Sequence, residues 1–310
     1  MKTVGIFPAS GHLGTSTIIH LLNLVPAHKL ILVNRHPDKV PPAHVAAGVE
    51  TRQASYESPP SDLEAAFSGI DTLFLISYPS HVRDYRIHVQ LPAINAARGA
   101  GISHIFYSSL AFAGPATSRA SRAEVMQAHL ATEAHLRALA RDDPGFAYTV
   151  LREGLYAEST PIYTAFFDPR ASTESEILIP HDGAGPGVAW VKRDELGEAS
   201  ARLIAAHAED PSGFRYGNQA VLLTGPRVWS LAETVGVLGK VAGREVRIRE
   251  VAVEEYVKLP QVLGAFGSEE KARTWATAWE AIRAGETAVV TPQLGEILGR
   301  EPEGFEVTVR

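Results

Sequence analysis

At 310 residues, 45% of them hydrophobic, the chain is long enough to bury one large core and a smaller lobe. A net charge of −6 without basic runs argues against nucleic acid or an anionic membrane as the main partner. The absence of cysteine excludes disulfides and thiolate chemistry. The first residues lead straight into a strand pattern rather than a signal peptide, and the apolar stretches are too short to span a bilayer. A cytoplasmic protein is therefore expected.

Residues 4–7 form an apolar run, residues 8–14 read Pro-Ala-Ser-Gly-His-Leu-Gly, and residues 15–24 have a helix-like pattern. Strand, glycine-spaced turn and helix start together make a grip for a pyrophosphate, although a plain strand-to-helix turn has the same ingredients. On the first reading Ser10, Gly11, His12, Leu13 and Gly14 bind cofactor. Residues 30–33 read as a second buried strand, followed by Asn34, Arg35 and His36. NAD sites place an acid there for the ribose 2′-hydroxyl, whereas an arginine accommodates a 2′-phosphate. Arg35, with Lys39 nearby, thus favours NADPH.

Residues 49–54 suggest a third strand, and Ser61-x-x-Glu64 has the spacing of a capping box that opens a helix. Residues 71–77 (DTLFLIS) are a continuous apolar run suited to a central parallel strand. A helix is expected over 82–98, a strand over 102–108, a long helix over 121–141 and a sixth strand over 146–151. This alternation predicts an α/β protein with a Rossmann-type, doubly wound parallel sheet. Residues 1–150 would form the NADP-binding domain. Residues 151–310 would be mainly a smaller α/β substrate lobe, with pieces such as 189–191 and 221–224 returning to the sheet. Ser230-x-x-Glu233 should cap one later helix, and residues 275–283 suggest another.

Four blocks carry a family resemblance: Gly11-x-x-Gly14, the strand over 73–77, His129-Leu-Ala-Thr-Glu133, and the run YTVLREGLY over 148–156. Together they resemble the NmrA-like branch of the atypical short-chain dehydrogenases, and most of all its triphenylmethane reductases and type-2 NADPH:quinone oxidoreductases. The segments over 170–175 and 193–196 extend the similarity into the second half. Two departures stand out. Pro8 replaces the first glycine, and Ser55 stands where the family usually has an aspartate before Tyr56, near the adenine. The resemblance implies cofactor contacts from Ser55 and Tyr56, and places His129 beside the nicotinamide.

Ordinary short-chain dehydrogenases use a Tyr-x-x-x-Lys pair in which lysine lowers the tyrosine pKa for proton exchange with an alcohol. Residues 109–141 contain neither tyrosine nor lysine. The expected chemistry is instead hydride transfer to a small quinone-like or extended conjugated aromatic acceptor, whose product oxygen is phenol-like with a pKa of about 10. Two alternatives stay open: an NADP(H)-sensing regulatory protein without turnover, and a biosynthetic reductase with one specific metabolite substrate.

Strand ends place Ser77, Tyr78 and Pro79, and likewise Ser108 and Ser109, where doubly wound folds bind ligands. The candidate catalytic residues are His129, as a proton donor beside the nicotinamide, and Tyr156, covering the nicotinamide or offering its hydroxyl to the acceptor; a structural histidine and simple aromatic packing are the competing readings. Glu133, one helical turn after His129, would orient it or anchor backbone. One or two of Tyr163, Phe166, Phe167 and Trp190 would line an acceptor pocket. Lys192, Arg193 and Asp194 read as a structural ion-pair junction. The twelve histidines form no metal-ligand spacing, so no metal is expected, and the chain would be a monomer or homodimer.

Overall fold

A computed structural model describes residues 1–80 and 82–309. In chain order the elements are β1 (Val4–Phe7), α1 (Gly11–Leu21), β2 (Leu30–Asn34), α2 (Pro42–Ala46), β3 (Glu50–Gln53), α3 (Pro60–Phe67), β4 (Thr72–Ile76), α4 (Arg83–Gly99), β5 (His104–Leu110), α5 (Glu124–Asp142) and β6 (Ala147–Glu153). There follow α6 (Thr160–Tyr163), β7 (Glu176–Ile179), α7 (Arg193–Glu209), β8 (Gln219–Leu223), α8 (Leu231–Ala242), β9 (Arg247–Glu250) and α9 (Val253–Tyr256). The last helices are α10 (Pro260–Phe266), α11 (Glu269–Arg283), α12 (Gln293–Leu298) and α13 (Phe305–Thr308).

Seven strands form one sheet in the order β3-β2-β1-β4-β5-β6-β8. The pairs β1–β2, β1–β4, β2–β3 and β4–β5 are parallel, with Val4 opposite both Leu30 and Thr72. The chain winds outward from β1 to β3, then restarts on the other side of β1 with β4. That reversal is the topological switch point, where such sheets open a crevice at the carboxyl ends of their strands.

The molecule divides into two units. The first comprises Met1–Ser109, Ala128–Arg152 and Arg193–Val221. Its core follows the two-residue period of strands: Ile31 and Val33, Leu73 and Leu75, Ile105 and Tyr107, Tyr148 and Val150 all enter one apolar cluster with Leu63 and Phe67 of α3 and Ala93 and Ile94 of α4. Each such side chain contributes about 1.5–3 kcal/mol by leaving water. Asp194 opens α7 and fixes it to α1, accepting from Ser16 Oγ at 2.6 Å and lying 3.2 Å from His20 Nε2.

The second unit comprises Leu110–Gln127, Glu153–Lys192 and Leu222–Arg310. It contains the parallel pair β7–β9 and a core in which Tyr163 meets Trp190 at 5.3 Å and Trp275 at 5.4 Å between ring centroids. Ser230 and Glu233 close the expected capping box on α8, with bonds of 2.8 and 3.1 Å.

Several expectations need correction. Ser61 does not cap α3: Pro60 occupies the first helical position, where its missing N–H costs nothing, and Ser61 already lies inside the helix, 3.3 Å from Asp62. The long helix begins at Glu124 rather than Ser121, because the Ser121 hydroxyl is held by the Phe112 carbonyl and the Glu286 carboxylate. Residues 221–223 do lie in β8, which ends before Thr224, but Val188 and Val191 make only isolated bridges, to Trp229 and Tyr156. No described helix is long and apolar enough to cross a membrane.

One buried pair makes the first unit acid-sensitive. His104 and His207 lie with ring centroids 4.0 Å apart, bonded to Thr149 and Thr72. Burial, and then the neighbouring positive charge that protonation would create, pushes His104 down to about 2; burial and Lys2 push His207 down to about 4. Unfolded histidine titrates near ~6.5, so below that pH protons favour the unfolded chain. The stability that both neutral rings supply is complete above that pH and is lost as pH falls towards 4. His207 alone should account for about 3 kcal/mol of that loss. Urea midpoints measured across this range should fall steeply, and His207→Asn should flatten the fall; an unchanged slope would refute the assignment.

Candidate cofactor and active site

The glycine turn leads into an uncapped helix start. Ser10 precedes α1 in extended backbone with φ of −155°, its side chain makes no capping bond, and no acid stands in the first turn. The first N–H groups of this 11-residue helix therefore keep their positive end unneutralised. Gly11 has φ of +76°, which L side chains rarely adopt, and a Cβ there would point into open space. Gly14 is closely packed: its Cβ would lie 3.1 Å from Ile76 Cδ1 and 3.4 Å from the Pro8 carbonyl oxygen. Pro8 follows a cis peptide bond, and the main chain folds back through Ser10 N–H to Pro8 O at 2.8 Å. His12 is exposed and Leu13 buried, so these two divide the first turn between solvent and core.

A cleft of about 430 Å³ opens beside this turn, lined by Ser10, Gly11, Thr15, Asn34, Arg35, His36, Lys39 and His44 among others. Its lining has cationic and neutral groups and no acid. Asn34 Oδ1 and His44 Nδ1 are buried with no hydrogen-bond partner. A second cleft, of about 310 Å³, is lined by Pro8, Ser10, Arg35, Ser55, Tyr56, Glu57, Tyr78 and Pro79 among others. Glu57 ties its rim together, accepting from Arg35 Nη2 at 2.9 Å and Tyr78 Oη at 2.7 Å. That bond pushes the Tyr78 hydroxyl up to about 12. Tyr56 is turned into the core, with its ring 4.6 Å from Phe7 and its hydroxyl donating to the Ile76 carbonyl at 2.6 Å.

A buried polar network lies at the ends of β4 and β5. Arg86 on α4, itself buried, donates to the Ser77 hydroxyl and to His129 Nε2, the latter at 2.8 Å. Because arginine only donates, Nε2 is an acceptor; the proton of the neutral ring sits on Nδ1, 3.0 Å from the Tyr107 hydroxyl. Burial, reinforced by Arg86 and Arg152, holds the His129 pKa well below its ordinary value. Gln90 accepts from Tyr78 N–H at 2.7 Å and from Ser77 Oγ at 3.0 Å, and donates to Thr132 at 2.9 Å. Ser108 Oγ accepts from Ser77 N–H at 3.0 Å. Ser109 Oγ donates at 2.8 Å to Glu133, whose carboxylate pairs with Arg152 and makes no bond to His129.

In the second unit Tyr156 donates to Glu153 at 2.6 Å. Tyr163, Phe167 and Trp190 are buried core, so of the four aromatic pocket candidates only Phe166, half-buried with φ of +61°, keeps an exposed edge. The ion-pair expectation is met by Lys192, which pairs with Glu303 at 2.9 Å, whereas Asp194 accepts from the Ser16 hydroxyl. Sequence reasoning missed Glu57, Arg86, Gln90 and Glu153. Arg86 and Gln90 carried one signal, being polar residues four apart on a helix face that is otherwise buried.

The family model for the NmrA-like family matches residues 1–272. An NmrA-like family domain-containing oxidoreductase of Aspergillus flavus, flvB, is 30% identical over 300 residues, covering 95% of this chain and 89% of the relative. Quinone oxidoreductase 2 of Escherichia coli is 30% identical over 261 residues, covering 84% and 82%. The crystal structure of a Citrobacter sp. triphenylmethane reductase complexed with NADP(H) superposes with a TM-score of 0.76 at 29% identity, covering 99% of this chain and 98% of that one. The family model and both curated relatives agree, and the chain belongs to the NmrA-like family.

Proposed function

We propose that this protein is an NADPH-dependent reductase that delivers hydride to a quinone-like or extended conjugated aromatic acceptor. The observation that carries this reading is the uncapped start of α1 beside a cleft lined by Arg35, His36 and Lys39 and by no acid. The amides of Ser10 to Gly14 would hold the pyrophosphate. Arg35 and Lys39 would hold the 2′-phosphate, which NADH lacks. Ser55 and Tyr56 would flank the adenine, and Ser77, Tyr78, Ser108 and Ser109 would border the nicotinamide end. NADPH, when bound, supplies the hydride.

No tyrosine or lysine stands on α5 to exchange a proton with an alcohol, which favours acceptors whose reduced form tolerates a negative oxygen. His129 keeps a neutral ring between Arg86 and Tyr107 and so acts as a positioning residue for the ends of β4 and β5, not as a proton donor at neutral pH. Purified protein mixed with NADPH should turn over menadione many times, read as loss of NADPH absorbance. Cofactor binding without turnover of menadione or malachite green would overturn the reading in favour of a cofactor-sensing role.

A further inference from the structure

The two clefts beside the glycine turn belong to the first unit, and Arg35 lines both. Glu57 is the acid in the lining of the second; the first has none. The Glu57 carboxylate is gripped from two sides. Arg35 Nη2 donates to Oε2 at 2.9 Å, while the hydroxyls of Tyr78 and Tyr85 donate to Oε1 at 2.7 and 3.3 Å. Those two rings meet edge-on at 5.5 Å, with Tyr85 carried on α4. Against the effect of burial, bonds from Tyr78, the main chain, Ser55 and Arg35 hold the carboxyl below its ordinary range, so it is charged at neutral pH. The two partners are not equally tethered. The Arg35 side chain is 60% exposed and that of Glu57 is 33% exposed, and the tyrosines keep Oε1 whether or not Arg35 stays on Oε2. The arginine can leave while the carboxylate stays.

We propose that Glu57 is a specificity-determining residue: it occupies Arg35 until a 2′-phosphate displaces it, and so restrains the preference for NADPH over NADH. This rests on the NADPH reading above. A dinucleotide carrying the 2′-phosphate must take the guanidinium away from Glu57 and bring its own negative charge close to an anchored carboxylate. Both effects oppose NADPH. Binding still succeeds, because an exposed ion pair is weak and an arginine–phosphate bond is among the strong ones. NADH presents a neutral 2′-hydroxyl, leaves the Arg35–Glu57 pair in place and meets neither penalty. A purely structural Glu57, holding Arg35 ready for the phosphate, would act with the opposite sign.

That sign makes the test decisive. Glu57→Gln keeps the side-chain shape and an oxygen for the two tyrosines, and removes the charge. The variant should bind NADPH about 3- to 10-fold more tightly, and NADH within about twofold of the unaltered protein. Calorimetric titration of each cofactor at one low, fixed ionic strength reads both. Added salt should shrink the gain, since exposed charges are screened. In an Arg35→Ala background the same substitution should tighten NADPH by at most about twofold, because only the repulsion between carboxylate and phosphate is left to relieve. Glu57→Ala should act with the same sign, and it carries the test if the glutamine variant does not fold. Weaker NADPH binding, a gain below about twofold, equal gains for both cofactors, or a full gain without Arg35 overturns the competition while leaving the NADPH reading intact. Failure of the unaltered protein to bind NADPH overturns both.

Discussion

Replacing Arg35 by alanine will weaken NADPH binding by about 10- to 100-fold and leave NADH binding within about twofold. The asymmetry comes from a single group. A guanidinium donating to a phosphate makes charge-assisted hydrogen bonds worth about 1.5–3 kcal/mol, and only NADPH presents the 2′-phosphate. Glu57, which accepts from Arg35 Nη2 at 2.9 Å, competes with the phosphate for that guanidinium. The cleft beside α1 has no acid in its lining, and the chain as a whole carries −6, so Arg35 and Lys39 supply the local attraction that the global charge opposes. The fold will not suffer, because Arg35 is 60% exposed and its ion pair with Glu57 is of the surface kind worth about 0–1 kcal/mol. Titration of each cofactor by calorimetry, at one fixed ionic strength, reads the result directly. Equal losses for the two cofactors would remove Arg35 from the 2′-phosphate and leave Lys39 and His36 to explain any preference.

The glycine turn was legible in the sequence because it depends on main chain. A strand, a small-residue turn and a helix start are local, and Gly11 and Gly14 announce the backbone conformation and close packing that the structure then displays. The two central strands were legible for a related reason: Leu73 to Ile76 are apolar without a break, and Ile105, Phe106 and Tyr107 follow one another in the next strand, as strands covered on both faces require. The network around His129 was not legible, since Arg86, Gln90, Tyr107 and His129 are brought together from α4, β5 and α5 by the sheet. Nor could sequence spacing show that Glu133 turns away from His129, because the partner that claims it, Arg152, arrives on a different strand. The aromatic residues over 163–167 and Trp190 illustrate the same limit. Core and pocket draw on the same side chains, and only burial separates them.

Glu133→Gln will cost about 3–5 kcal/mol of stability, the largest loss expected from any single substitution considered for this molecule. Glu133 and Arg152 are both fully buried, with Arg152 Nε 3.0 Å from Oε1 and Nη2 2.7 Å from Oε2. The amide preserves the shape of the site, so the effect isolates charge: it leaves the Arg152 guanidinium in the core without the carboxylate that compensates it. The loss also reaches the candidate site, because Ser109 at the end of β5 donates to the same carboxylate at 2.8 Å. Loosening that anchor should raise the KM for NADPH as well as lower the unfolding midpoint. A double substitution, Glu133→Gln with Arg152→Gln, removes both charges and should be less damaging than the sum of the two single changes by about 1–3 kcal/mol, the signature of a direct coupling. Strict additivity in urea unfolding would mean that the pair does not act as one unit, and that the HLATE block owes its place in the fold to packing alone.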